Sequence, residues 1–443
     1  MSKKLAIILL AVASVLTAVG AVDRASSEAG PDLDSRVAVA TLDPVTGRQP
    51  LPEIIELWRG KVEGQPLDYL NRTRLGNALN ALGSETAEPA HYTEAAVVFG
   101  QALDANPSHA PARLGLAGSL IAQHDFAAAI DQLERAEADG SARLPTLALV
   151  GDANLGIGNY QEAAAAYEAL IAGERSAPTV SRLARLRWFQ GRPAAAVSLA
   201  EEALALSGDL AIRPVDRAFY PFQLGHFLFV AGEVDEAIAQ YRAALDLAPD
   251  HPGAAEALPF ALAANGELDQ AAERYAELVP EAGAADLHGL YAGVLRALGD
   301  ETGAAVQERL GTEAALAGID EHPAERRHIV QFLTARDPAL AVELARADLA
   351  ERADVGAYDH LAWALYHAGR SGEALAMIET ALGFGTVDAA LFYHAAEINL
   401  AAGDTAVAAA YVESSLAVNP HFHPTEADAA AALAARLGVE QPD

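Results

Sequence analysis

The side chains through which this chain would do chemistry are 13 histidines and 61 acidic residues, because it has no cysteine. That absence excludes thiol catalysis, disulfides, Cys-ligated zinc, iron–sulfur clusters and a lipid-modified cysteine. His421 and His423 flank Phe422 and would face a single ion only from extended chain. Asp359, His360 and His367 lie close together in sequence. No HExxH, paired zinc spacing or EF-hand loop accompanies them, so no metal and no cofactor is expected. Ser108-His109 and Asp250-His251 fit element boundaries instead. Enzyme motifs are missing too: there is no Walker loop, no GxSxG and no GxGxxG after a strand. The nearest glycine motif, Gly151 to Gly158 (GDANLGIG), falls inside a helical stretch, where glycines permit close packing. Glu201-Glu202 sits on an Ala-rich helix and reads as a solvated face. No catalytic residue is assigned, and a non-enzymatic protein is expected. Asn71-Arg72-Thr73 matches a glycosylation acceptor on spacing alone.

The elements that carry these residues repeat. A small residue after a turn recurs at Ala95, Ala129 and Ala163, each 34 residues from the last. Ala237 and Ala271 are 34 apart, as are Ala374 and Ala408. Weaker copies fit at Ala196, Ala304 and Ala341, making ten units. A 34-residue period is the length of two helices and a tight turn. A small residue is required where the two helices approach closely. One pair cannot bury its own apolar face, but stacking on the next pair does so. Prolines at Asn106-Pro107, Pro249 and Asn419-Pro420 mark breaks between units, because proline cannot continue a helix.

The pattern resembles that of tetratricopeptide (TPR) repeat proteins. It stands as LNRTRLGNAL (Leu70 to Leu79), FGQALDANP (Phe99 to Pro107) and YRAALDLAP (Tyr241 to Pro249). DHLAWALYHAGRSGEAL (Asp359 to Leu375), LGFGTVDAALFYHA (Leu382 to Ala395) and VNPHFHP (Val418 to Pro424) are similar to long exported bacterial TPR proteins of unestablished role. The resemblance covers roughly residues 67–424. It implies an all-α fold: a right-handed α-solenoid of about ten stacked helix pairs, with a capping helix over Thr425 to Gly438. It also implies a protein or peptide partner held on the concave face by the first helix of each unit. Groove candidates by that register are Phe219, Phe222, His226 and Phe229 in unit five and Phe260 in unit six. Trp188 is added in unit four, Trp363 and Tyr366 in unit nine, and Tyr393 in unit ten. Aromatics are natural peptide anchors. The same residues also suit packing between units, and a shift of one position would turn most of them inward. Phe222, His226 and Phe229 share one helix face by their i, i+4, i+7 spacing.

Three stretches break the period. SETAEPA (Ser84 to Ala90) is inserted in unit one, Ser207 to Pro214 lengthens one spacing to 41, and residues 310–340 are the least repeat-like. Such breaks are expected to bend the superhelix and change its pitch in the second half. Ahead of the array, PEIIELWRGKVEG opens on Pro52 and reads as a capping helix over 52–66.

At the start, Lys3 and Lys4 precede an apolar run from Leu5 to Val22. This is the pattern of an export signal over 1–22, cleaved after Ala21 or retained as a membrane anchor. Residues 23–51 then read as a flexible tether, which places the body outside the cytoplasm, periplasmic or extracellular.

The net charge is -31. Such a surface repels nucleic acid and anionic lipid and suits basic partners, divalent cations or a salty medium. A protein-interaction scaffold is the leading expectation. A cation-binding accessory to a membrane transporter and a plain surface spacer are the alternatives.

Overall fold

The computed structural model describes residues 50–208, 210, 212–282, 284–319 and 326–439. The leader and nearly all of the tether lie outside the described residues. Among the described residues there are 22 helices and no strand. Helix α1 (Leu51–Gly64) stands first. Ten pairs follow: α2 (Tyr69–Thr86) with α3 (Pro89–Ala105), α4 (Ala110–Ala122) with α5 (Phe126–Ala138), and α6 (Arg143–Gly156) with α7 (Tyr160–Gly173). Next come α8 (Ala177–Phe189) with α9 (Pro193–Ser207), α10 (Pro214–Val230) with α11 (Val234–Leu247), and α12 (Pro252–Ala264) with α13 (Leu268–Ala282). The array ends with α14 (Ala285–Ala297) and α15 (Glu301–Gly318), α16 (Arg326–Leu333) and α17 (Pro338–Glu351), α18 (Val355–His367) and α19 (Ser371–Gly383), and α20 (Ala389–Ala402) and α21 (Thr405–Val418). A single helix, α22 (Glu426–Leu437), closes the chain. This is an α-solenoid architecture.

The local reasons are plain in the sequence. Asp68, Asp125, Asp300, Asp337, Asp354, Asp388 and Asp404 each cap a helix by accepting backbone N–H bonds from its first turn. Proline occupies the first turn of α1, α3, α4, α12 and α17, where no N–H is needed. In eight of the ten pairs the turn places one left-handed residue five positions before the anchor alanine. Glycine supplies it at Gly158, Gly191, Gly232, Gly266, Gly299, Gly369 and Gly403, and His124 takes φ 62 in the second pair. Every anchor, Ala95, Ala129, Ala163, Ala196, Ala237, Ala271, Ala304, Ala341, Ala374 and Ala408, has 0% exposure. Any larger side chain there would push the paired helices apart. Gly151 and Gly156 of GDANLGIG serve close packing, since a Cβ at them would lie 2.2 Å from the Tyr167 ring and 2.4 Å from the Phe126 ring, whereas Gly158 lies beyond the helix in the turn.

The chain forms two compact units. One comprises the described residues up to Leu183 together with Glu201–Tyr220. In it, α1 packs Leu51, Ile54 and Ile55 against Leu75, Leu79 and Phe99 of the first pair. The inserted SETAEPA lengthens α2 through Glu85 to Thr86 before Ala87 turns the chain at φ 53. Asn71 is 6% exposed and its Nδ2 donates to Gln65 Oε1 at 3.3 Å, so that amide is not presented for glycosylation. Deeper in this unit Arg182 and Asp152, both 0% exposed, form a forked ion pair at 2.9–3.1 Å, and the Tyr167 hydroxyl donates to Asp152 at 2.6 Å.

The other unit comprises Ala184–Ala200 and the described residues from Pro221 onward. It ends in a core where Tyr393, Val412, Leu416 and Phe422 pack against Ala430 and Leu433 of α22. Helix α22 therefore covers the apolar face that the tenth pair would leave open.

Candidate protein-interaction site

The site lies in the second unit, on α18, α20 and α22. Trp363 and Tyr366 are one helical turn apart on α18, and their rings stack with centroids 4.9 Å apart and 4° between planes. His394 on α20 lies against Trp363 at 4.1 Å and 17°. Tyr393 meets Trp363 edge-on at 5.8 Å, and His367 does so at 4.7 Å. Trp363 and Tyr366 are half-buried, His367 is exposed, and Tyr393 and His394 are buried.

Carboxylates surround this stack. The Tyr366 hydroxyl donates to Glu397 Oε2 at 3.1 Å. His394 Nδ1 sits 2.9 Å from Asp359 Oδ1, and its Nε2 sits 3.4 Å from Glu426 Oε2 on α22. Burial works against the charged imidazole, but Asp359 and then Glu426 outweigh it and raise its pKa to about 10. His394 is therefore an imidazolium at neutral pH, lying on an indole face in a cation–π arrangement. Burial likewise opposes the Glu426 carboxylate, yet His423, His394 and His367 hold it down at about 2. Two negative groups thus face one buried positive ring, with a half-exposed tyrosine and Glu397 at the rim.

The residues expected to line a groove are not one cluster. Trp363, Tyr366 and Tyr393 come together as described. Phe229 on α10 and Phe260 on α12 form a second group, ring centroids 5.5 Å apart and T-shaped. Phe222 is 6% exposed and fills the gap beside Tyr241 and His251, in space left because a Cβ at Gly253 would lie 2.7 Å from its ring. His226 faces Trp188 at 5.5 Å, and burial, with Arg185 second, pushes its imidazole down to about 4. Phe219 is 1% exposed and belongs to the other unit. Phe219, Phe222, Phe229 and Tyr393 present almost no free surface, whereas Phe260, Trp363 and Tyr366 are half-buried.

Sequence reasoning missed Asp359, His394, Glu397 and Glu426 as neighbours of these rings. The signal available was the period itself: His394 pairs with Asp359 35 positions away, and Tyr366 with Glu397 31 away. Facing residues on successive first helices sit one repeat apart. The other histidine groupings do not converge: His360 Nε2 faces Gln331 at 3.0 Å and His421 is exposed. Among the described residues no three of His, Asp and Glu are grouped to hold a metal ion, and no helix is long and apolar enough to cross a membrane.

Two family models, both described as tetratricopeptide repeat, match residues 89–144 and 181–252. The matched stretches hold the anchor alanines Ala95, Ala129, Ala196 and Ala237. This is a tetratricopeptide-repeat protein. TPR proteins are in general interaction scaffolds that bind proteins or peptides. Solved structures similar to this TPR chain include the human IFIT1 dimer with PPP-AAAA, at 17% identity, covering 72% of this chain and 73% of that one, with TM-score 0.47. Yeast Tom70 is 14% identical, covering 91% and 96%, with TM-score 0.38. A TPR protein from Parabacteroides merdae is 16% identical, covering 59% and 98%, with TM-score 0.34. No curated protein matches the chain in sequence.

Proposed function

We propose that this TPR protein is a non-enzymatic scaffold that holds a basic polypeptide segment against the α18–α20–α22 face. The observation that carries the reading is the half-exposed Trp363–Tyr366 stack with Glu397 at its rim. One face of the Tyr366 ring is covered by Trp363, and Glu397 fixes its hydroxyl. A lysine or arginine of the partner meets a π-face and a carboxylate within one side-chain length, each a favourable contact for a cation. The chain's net charge of -31 adds long-range attraction for such a partner and rejects acidic ones. The apolar run at Leu5 to Val22 supports export, with the scaffold acting outside the cytoplasm and tethered if that run is retained.

The test is affinity capture from a native extracytoplasmic extract by residues 51–443, with Tyr366→Ala/Glu397→Gln as the paired control. A basic partner retained by the parent, lost from the folded control and released between about 50 and 500 mM salt supports the face. Equal retention by both moves the site elsewhere on the scaffold. Retention indifferent to salt removes electrostatic selection.

A further inference from the structure

In the second unit, helices α17, α18 and α19 border a cleft of about 280 Å³. Its floor is Leu361 and Leu365 of α18, which are 3% and 1% exposed. Ala376 and Met377 of α19 form a wall. Arg346 of α17 and Glu373 of α19 stand at the mouth, each side chain 52% exposed. Helices α17 and α19 are the second helices of consecutive pairs, so the cleft is not on the face that first helices supply. Leu361 and Leu365 are about one turn apart, and at 3.6 residues per turn Trp363 and Tyr366 point to other sides of α18.

The side chains suit an apolar occupant. In the last pair the position three residues after the anchor alanine is Tyr411, whose ring stacks on Phe392 at 6.1 Å. The ninth pair has Met377 there, the one methionine after Met1. Methionine is thin and unbranched, and it adapts its shape to what it touches. It leaves room above Leu361 and Leu365 that a ring would take.

The mouth carries an exchangeable charge. Arg346 donates to Glu373 Oε2 at 2.9 Å. Glu373 also accepts a fork from Arg370, at 2.7 Å on each oxygen. Two guanidinium groups thus share one carboxylate. When Arg346 turns to another acceptor, Glu373 keeps its fork, and a half-exposed ion pair costs little to break.

We propose that the α17–α18–α19 cleft binds a straight-chain aliphatic carboxylic acid, its alkyl chain on Leu361, Leu365 and Met377 and its carboxylate on Arg346. Leucine and methionine walls strand no polar group against an alkyl chain, and one guanidinium fixes the orientation by a forked contact. Volume sets the length. At roughly 30 Å³ for a water-sized group, the cleft holds about nine such groups, which fits an eight-carbon acid. The chain's net charge of -31 opposes an anion only at long range, because salt screens it beyond about 8 Å. The inference goes beyond the scaffold reading and does not depend on it, since the residues and the probe are different.

The scarcity of methionine makes the test specific. In the full chain carrying methyl-carbon-13-labelled methionine, Met377→Leu identifies the Met377 signal, and Met1 is the internal control. Octanoate, butanoate and octanol are titrated while the methyl spectrum is followed. The expected result is a saturable shift of the Met377 signal with octanoate. Butanoate should bind at least tenfold more weakly, because it buries fewer methylenes. Arg346→Gln should weaken octanoate about tenfold and leave octanol unchanged. Glu373→Gln should strengthen octanoate, because it removes the competing carboxylate. Both side chains are half exposed, so neither change threatens the fold. No shift at Met377, or equal shifts at Met1 and Met377, overturns the cleft. Equal octanoate affinity in the parent and Arg346→Gln overturns carboxylate recognition.

Discussion

Glu85 and Arg213, 128 residues apart, form an ion pair at 2.7 Å. Each lies in a stretch that breaks the 34-residue period, Glu85 in the insertion of the first pair and Arg213 in the long link before α10. The two irregularities therefore meet. Arg213 also forks onto Asp216 at 2.9 Å and is 17% exposed, and Glu85 is 42% exposed. Half-solvated pairs are weak, so Arg213→Ala should lower stability by about 1 kcal/mol, read by urea unfolding. Glu85→Gln should cost less than half of that. Equal effects of the two would mean that Asp216 contributes nothing.

The His394 imidazolium ties acid and base limits of stability to one stack. Its folded pKa of about 10 exceeds the ordinary 6.5. Its contribution is complete below about pH 6.5 and is lost as pH rises toward about 10. Glu426 works in the opposite sense: held at about 2 against an ordinary 4.5, it contributes above that value and is lost as pH falls through about 2. The melting temperature of the parent should thus fall on both sides of neutrality. His394→Gln should flatten the alkaline limb and destabilise at neutral pH by about 2 kcal/mol, because two half-buried carboxylates lose their partner. Trp363 emission should shift over the same alkaline window, and Trp363→Phe should abolish that shift.

Much of the fold is legible in the sequence because one physical requirement recurs in every repeat. Where two helices nearly touch, only a small side chain fits, so alanine returns at fixed intervals and each copy is fully buried. The turn glycines and aspartate caps are equally local. The site is less legible, since His394, Glu426 and Trp363 meet through stacking and chain return, which no local rule encodes. Register marks Phe222 and Phe229 as groove candidates, and both are buried, Phe222 beside Tyr241 and His251 and Phe229 against Phe260. A ring at a groove position and a ring between repeats look identical in one dimension.

Glu256 on α12 carries a pH dependence of the opposite kind to Glu426. It is 5% exposed, and neither carboxylate oxygen has a hydrogen-bond partner. Burial, with Asp286 second, pushes its carboxyl well above the ordinary range. A carboxyl kept protonated in the fold loses stability as pH rises above the unfolded value of about 4.5, because the unfolded chain ionises first. Glu256→Gln keeps the shape and cannot ionise. It should raise stability by about 1–3 kcal/mol at about pH 8 and by little at about pH 4.5. A destabilised variant at both would show that Glu256 serves a charged partner instead.

Arg182 and Asp152 test how the first unit holds adjacent repeats together. They lie on α8 and α6, 30 residues apart, with no exposure of either side chain. Two charges without solvent repay their desolvation only through their own contacts. Here the forked pair, the Tyr167 hydroxyl on Asp152 and the Pro178 carbonyl accepting from Arg182 at 3.2 Å supply those contacts. Asp152→Ala leaves a buried guanidinium and a hydroxyl without their acceptor and should cost about 3–5 kcal/mol in urea unfolding. Asp152→Leu with Arg182→Met removes both charges together and should cost distinctly less than either single change. The coupling between the sites is then strongly favourable in a double-mutant cycle. Hydrogen exchange should rise first in α6 to α8, since a repeat array fails at its weakest interface before it unfolds throughout. Additive single effects would mean that the pair is tolerated rather than required, with apolar packing around Tyr167 carrying the interface.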